Sequence, residues 1–249
     1  MRVIGLVALA VMASLAACAS TQANPARSPQ TVSSPSITKS TISLDPTGIA
    51  RTTHTDVIPR SPNSPDEPPF MNGEPEHLRV RFGDDKLHDY TDYLQRQLLV
   101  YPLQPYAALF HGKEKKAFDK AVSELKSIIT GQSDKGIKEL PVLPSAEAYE
   151  VFHNQVRYLN FKQGSGVAFL SCYKQDESPI TNSDLFYTFQ GLTHDNKYYV
   201  SFFCPVQANG LPASVPSKQG AGYLGKLSRA EFVPSLDKLD HVIESISLK

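Results

Sequence analysis

Residues 185–206, LFYTFQGLTHDNKYYVSFFCPV, constrain the fold more than any other stretch of the chain. Aromatic side chains, among them Tyr187, Phe189, Tyr198, Tyr199, Phe202 and Phe203, crowd two runs of eight or so residues. Aromatic and β-branched residues suit a pleated surface. The polar run His194-Asp195-Asn196-Lys197 between them carries turn chemistry. The stretch therefore predicts a β-hairpin at the centre of a sheet that other elements cover.

The flanking sequence extends that sheet. Residues 77–82 alternate apolar and polar, the period of a strand. Residues 97–101 predict a second strand, stopped by Pro102. Residues 113–130 predict the clearest helix: Phe118, Ala121, Val122, Leu125, Ile128 and Ile129 fall on one stripe, and Gly131 is the expected stop. Ser145 is placed to cap a short helix reaching about Gln155. Residues 157–161 and 166–173 predict another strand pair, with Gln163-Gly164-Ser165 as the turn. Residues 174–184 and 207–222 read as loops. Pro234 opens a last helix with Leu236, Leu239, Val242 and Ile243 on its apolar side, and Ile246 and Leu248 suit a short terminal strand. Strands arranged in hairpins with a few helices predict an α+β fold, an antiparallel sheet with helices packed against it.

The N-terminus has a different character. Arg2 precedes a short apolar run, 3–15, that ends in small residues, the form of a signal peptide. Leu15-Ala16-Ala17-Cys18 resembles the lipobox of bacterial lipoproteins. That resemblance implies cleavage after residue 17 and lipid attachment at Cys18. Several acyl chains on one residue anchor durably, at roughly 0.8 kcal/mol per buried CH₂. Ala19 after the cysteine implies the periplasmic face of the outer membrane in an organism that has one. Residues 18–69 hold nine prolines with much Ser and Thr, and no aromatic residue precedes Phe70. Such a composition predicts a disordered tether, with Ile42-Ser43-Leu44 and Val57-Ile58 as its only points of local docking. The expected organisation is a signal peptide over 1–17, a lipidated linker over 18–69 and one globular domain over 70–249. Mean hydropathy is −0.27, and no apolar run of spanning length follows the N-terminus.

The chemistry-bearing residues form no recognisable constellation. Basic and acidic residues balance at 25 each, without the clustered basic face that nucleic acid requires. Gly220, Gly222 and Gly225 fit G-x-G-x-x-G, but no strand precedes them, so a loop is expected rather than a dinucleotide site. Ser133 lacks the strand and second glycine of a nucleophile elbow, and Ser165 reads as a turn residue. The histidines His54, His77, His88, His111, His153, His194 and His241 show no H-x-x-x-H spacing, and zinc needs three or four converging ligands. The pairs Asp84-Asp85 and Asp176-Glu177 read as solvated loop charges. Lys113, Lys115, Lys116, Lys120 and Lys126 alternate with acids on the predicted helix and read as a solvated face. The expectation is no catalytic residue, no metal and no cofactor, and partners limited to the membrane, an envelope protein or a small-molecule ligand, with no nucleic acid. Cys172 and Cys204 leave two alternatives. An exported chain favours a disulfide. A simple meander places them two strands apart, roughly 9.6 Å, too far to bond.

Several blocks carry a family resemblance: Pro75-Glu76-His77-Leu78, residues 98–103, residues 140–144, residues 158–167, residues 185–192, Lys197-Tyr198-Tyr199-Val200 and residues 236–248. Together they resemble an uncharacterised family of secreted bacterial proteins, often lipoproteins, over most of 75–249. The family implies no activity and no catalytic residue. Cys172 and Cys204 depart from its usual residues, and that joint departure implies a Cys172–Cys204 disulfide. A fainter fold-level similarity is to PsbP/Mog1-like domains. The expectation is a lipid-anchored, non-enzymatic binding domain of the cell envelope. The alternative is an envelope hydrolase or an enzyme accessory subunit with a site assembled only in three dimensions.

Overall fold

Eleven strands and four helices follow one another along the chain of the computed structural model, which describes residues 37–68, 70–88 and 91–249. In chain order they are β1 (Ile42–Ser43), β2 (Thr53–Ile58), β3 (His77–Phe82), β4 (Gln97–Pro102), α1 (Leu103–Ala107), α2 (Gly112–Gly131), β5 (Tyr149–Phe161), β6 (Gly164–Lys174), β7 (Phe186–Thr193), β8 (Tyr198–Pro205), β9 (Gln207–Ala208), α3 (Ser217–Leu224), β10 (Phe232–Val233), α4 (Leu236–Glu244) and β11 (Ser247–Leu248). The proposed signal peptide, Cys18 and the start of the expected tether lie outside the described residues.

Seven strands make one antiparallel sheet in the order β2-β3-β4-β8-β7-β6-β5. Two meanders, β2-β3-β4 and β5-β6-β7-β8, meet where β4 pairs with β8. The aromatic hairpin is β7 and β8, and it lies inside the sheet as its sequence predicts. Both faces of these strands are covered, which is why their sequence is apolar almost throughout rather than alternating. Side chains still alternate between faces. Tyr187, Phe189, Val200 and Phe202 join one core cluster, whereas Phe186, Tyr199 and Phe203 join the other.

Helices α1 and α2 cover one face, with Phe118, Val122, Leu125 and Ile128 of α2 buried there. Helix α4 buries Leu236, Leu239, Val242 and Ile243 on the other. The α+β reading is thus correct, with helices on both faces of an antiparallel sheet. Helix α2 ends as expected, but the left-handed residue is Gln132 (φ 44°) rather than Gly131.

Three local expectations are corrected. The segment expected to be a helix from Ser145 to about Gln155 is the start of the edge strand β5. Irregularities between Glu150 and Phe152 and between Asn154 and Arg157 break its register, and Gln155 has φ 55°. These bulges bend an edge strand and scramble the alternation that would have announced it. The loop expected over 207–222 contains β9, paired with β10, and the start of α3.

The third correction concerns the tether, which was drawn to residue 69. Residues 53–58 form the other edge strand of the main sheet, paired with β3 along its whole length. Ile42 pairs with Leu248, and Ile37 and Ile42 are buried in the core. Backbone pairing needs no apolar side chains, so a polar segment satisfies its amides on an open sheet edge. Arg81 donates to Asp56 at 2.7 Å, and Arg96 donates to the Ile49 carbonyl. The folded unit therefore begins well before residue 70.

Candidate functional site

Cys172 on β6 and Cys204 on β8 are both free and buried. Strand β7 lies between their strands, with Tyr187 opposite Cys204. The implied disulfide is not formed, because the meander separates the two by two strand spacings. Burial pushes each thiol up to about 12. Both are therefore protonated at neutral pH, which makes them poor nucleophiles.

The other nominated residues scatter. Gly220 and Gly222 sit within helix α3 and Gly225 caps it. A Cβ on Gly220 would lie 2.2 Å from Ile180 Cδ1, so this glycine permits close helix packing. Ser133 Oγ accepts from the Lys135 amide in an exposed turn. Ser165 is the second residue of strand β6, after the tight turn at Lys162 and Gln163. His194 occupies the exposed β7–β8 turn, where the Thr193 hydroxyl donates to Asp195 and accepts from the Lys197 and Tyr198 amides. His241 faces Asp45 at 3.3 Å. Asp85 pairs with Arg96 at 2.8 Å. On α2, Lys115 pairs with Asp119 and Lys120 with Glu124. No group of three metal-ligating side chains converges among the described residues.

Two of the histidines belong to buried polar clusters that the sequence does not announce. His153 Nδ1 donates to Glu150 Oε2 at 2.9 Å, and its Nε2 lies 3.8 Å from Asp134. The same Glu150 carboxylate accepts from the Ser171 hydroxyl at 3.0 Å and from the Leu140 amide at 2.9 Å. The hydrogen bond to Glu150 raises the His153 pKa, against the effect of burial. Ser171 also donates to the Phe152 carbonyl and is fully buried. Its partner is the carboxylate rather than the imidazole, so serine and histidine are not arranged as nucleophile and base.

The second cluster surrounds His77. Its Nδ1 donates to the Pro75 carbonyl at 2.8 Å, its Nε2 is 3.5 Å from Glu74, and its ring lies 4.6 Å from that of Tyr101. Burial lowers His77 to about 4 and raises Glu74, which accepts from the Thr91 hydroxyl. The neighbouring hydroxyls of Tyr101 and Tyr106 are buried and make no hydrogen bond among the described residues.

Beside the Glu150 cluster the surface opens into a cleft of about 630 Å³. Strand β5 supplies Tyr149 and Val151, the loop before β7 supplies Pro179, and the start of α3 supplies Pro216 and Lys218. Lys138, Glu150 and Glu177 complete its charged lining. The Tyr149 hydroxyl donates to the Asp176 carbonyl at 2.6 Å, and Ser217 Oγ donates to the Ser178 carbonyl at 2.6 Å. These bonds fix the walls. The cleft pairs apolar sides with ammonium groups and with the carboxylates of Glu150 and Glu177, the general character of a small-ligand site. Sequence reading missed it because its contributors lie far apart in the chain and meet only once β5 and α3 form.

No family model, no curated protein and no solved structure matches the chain.

Proposed function

We propose that this chain is a lipid-anchored protein of the cell envelope whose α+β domain binds a ligand or protein partner at the β5–α3 cleft. The anchor reading rests on Leu15-Ala16-Ala17-Cys18 behind a short apolar run. Ala19 favours the outer membrane, periplasmic side, in a diderm. The binding reading is carried by one observation: a preformed cleft of about 630 Å³ with apolar walls and a charged lining of Lys138, Lys218, Glu150 and Glu177. A ligand with an apolar body and polar groups of mixed character suits that lining, since burying the body is favourable at about 25 cal/mol per Å² and the lysines and carboxylates offer both donors and acceptors.

One experiment tests both halves. The full-length chain, wild type, Cys18→Ala and Val151→Arg, is expressed in its own host, fractionated and purified, and its bound small molecules are identified by native mass spectrometry. Wild type should sediment with membranes and carry a ligand. Cys18→Ala should leave the membrane fraction, and Val151→Arg should stay there without the ligand. Unchanged membrane attachment of Cys18→Ala defeats the anchor, and an unchanged ligand in Val151→Arg defeats the cleft.

A further inference from the structure

The hairpin tips and the start of the described chain share one rim of the sheet. The turn at Lys162 and Gln163 joins β5 to β6, and the turn 194–197 joins β7 to β8. Their ends adjoin, because Gly164 pairs with Thr193. Tyr198 pairs with Pro102, and Ile58 pairs with His77, so Pro102 and Arg60 reach the same rim. The C-terminus returns there too: the Lys249 amide donates to the Thr41 carbonyl at 2.8 Å. Ile37, the first described residue, lies in a groove with Arg60, Pro102 and Pro105.

This rim is basic although the chain as a whole is neutral. A concave patch of about 620 Å³ brings together Lys162, His194, Lys197 and Lys249. All four are exposed. Lys197 pairs with Asp195 at 3.0 Å, whereas Lys162 and Lys249 form no ion pair with another side chain among the described residues. Arg60 adds a positive charge and Glu76 a negative one at the groove that holds Ile37. Only nineteen residues, 18–36, separate the proposed lipid anchor from this rim, a reach of at most about 65 Å when fully extended.

We propose that this rim docks on anionic lipid headgroups of the membrane that holds Cys18. The inference rests on the anchor reading above and adds the face that meets the membrane. Two observations converge on it. The chain leaves toward its anchor from this end, and the same end carries the unpaired lysines. Lysines near an anionic leaflet attract it within a Debye length. Tethering keeps the rim at high effective concentration near the surface, so a weak electrostatic contact suffices. The β5–α3 cleft, built from strand β5 and the start of α3, is then held away from that contact and open to its ligand.

The test is vesicle co-sedimentation of the chain from residue 18 onward, with Cys18→Ser so that no lipid contributes. Vesicles are phosphatidylethanolamine with or without phosphatidylglycerol, at low and high salt. The wild-type rim should bind the phosphatidylglycerol vesicles, release them at high salt, and ignore the neutral ones. Each lysine should contribute about fivefold, so Lys162→Gln with Lys197→Gln and Lys249→Gln should weaken binding by about a hundredfold. Lys113→Gln with Lys116→Gln and Lys120→Gln on α2 changes net charge equally and should weaken it far less. Circular dichroism confirms that each variant is folded. Equal loss in the two triple variants, equal binding to neutral vesicles, or displacement by millimolar inorganic phosphate would each overturn the assignment. The fractionation of Cys18→Ala is independent of this assay, so failure of the anchor and failure of the docking face are separate results.

Discussion

Acid should destabilise this domain through a single buried imidazole, His77. Its ring is sealed on the α1 side of the sheet with, among the described residues, only the Pro75 carbonyl as a hydrogen-bond partner and Tyr101 against its face. Burial lowers its pKa to about 4, whereas the unfolded chain has the ordinary value of 6.5. Above pH 6.5 both states are neutral and the site is neutral in its effect. Below 6.5 the unfolded state takes up a proton that the folded state refuses, so stability is lost as pH falls toward 4. The full loss is the gap between 6.5 and about 4 at 1.36 kcal/mol per pH unit, about 3 kcal/mol. The Glu74 carboxylate, 3.5 Å from Nε2, pulls the other way. Burial raises its own pKa, so its negative charge is weakened over the range where His77 would need it. Urea unfolding from pH 7.5 to 4 reads the effect, with His77→Asn as the reference because the amide keeps a donor for the Pro75 carbonyl. With a slope of about 2–3 kcal/mol per M, the wild-type midpoint should fall by about 1 M more than that of the variant. Parallel midpoints across the range would refute the reasoning and assign Glu74 as an effective counterion.

His153 should titrate with the opposite sign. Its folded pKa is raised by Glu150, so its contribution is complete below 6.5 and is lost as pH rises through the folded value; the stability gap between wild type and His153→Gln should shrink as pH rises above 6.5, and a constant gap contradicts it. Gln190 ties the sheet to the loop at Leu143, accepting from Tyr199 at 2.7 Å and from the Leu143 amide at 3.3 Å while donating to Thr188 and Ser201. Gln190→Leu strands those buried groups and should cost about 2–4 kcal/mol in chemical denaturation, whereas a cost under 1 kcal/mol would mean that water replaces the side chain. Both free cysteines should resist alkylation in the folded protein and react after unfolding without reductant; thiols that appear only after reduction would restore the disulfide.

How much of this could be read in the chain depends on what each element asks of its residues. The β7–β8 hairpin and helices α2 and α4 were legible because burial selects their side chains: an inner strand covered on both faces must be apolar, and a helix on a sheet must carry a stripe. The meander order was legible too, and the argument that it separates Cys172 from Cys204 was the physical one. The resemblance that favoured the bond concerned residue identity and carried no distance. The buried clusters at His77 and Glu150 were not legible. A carboxylate that accepts from Leu140, His153 and Ser171 draws on three segments, and no local spacing encodes their meeting.

The edge strands explain the remaining misreadings, and for the same reason at both ends of the sheet. Strand β2 reads THTDVI, and β5 carries irregular pairing with exposed residues along its length. An edge strand gains most from backbone hydrogen bonds to one neighbour and faces solvent elsewhere, so its side chains are under weak selection for burial and under stronger selection against pairing with another molecule. Polar residues, prolines at the flanks and bulges serve the second need. Those same features are the composition of a flexible linker and the broken periodicity of a loop. The nine prolines that argued for a tether over 18–69 include Pro46 and Pro59, which lie outside β1 and β2 and leave the ladder intact. A Pro-rich stretch therefore weakens a reading of inner strands far more than it weakens a reading of an edge. For this chain the consequence is that the span between the proposed anchor at Cys18 and the folded unit is nineteen residues rather than the fifty-two of the composition-based linker, a reach of at most about 65 Å for the proposed docking rim.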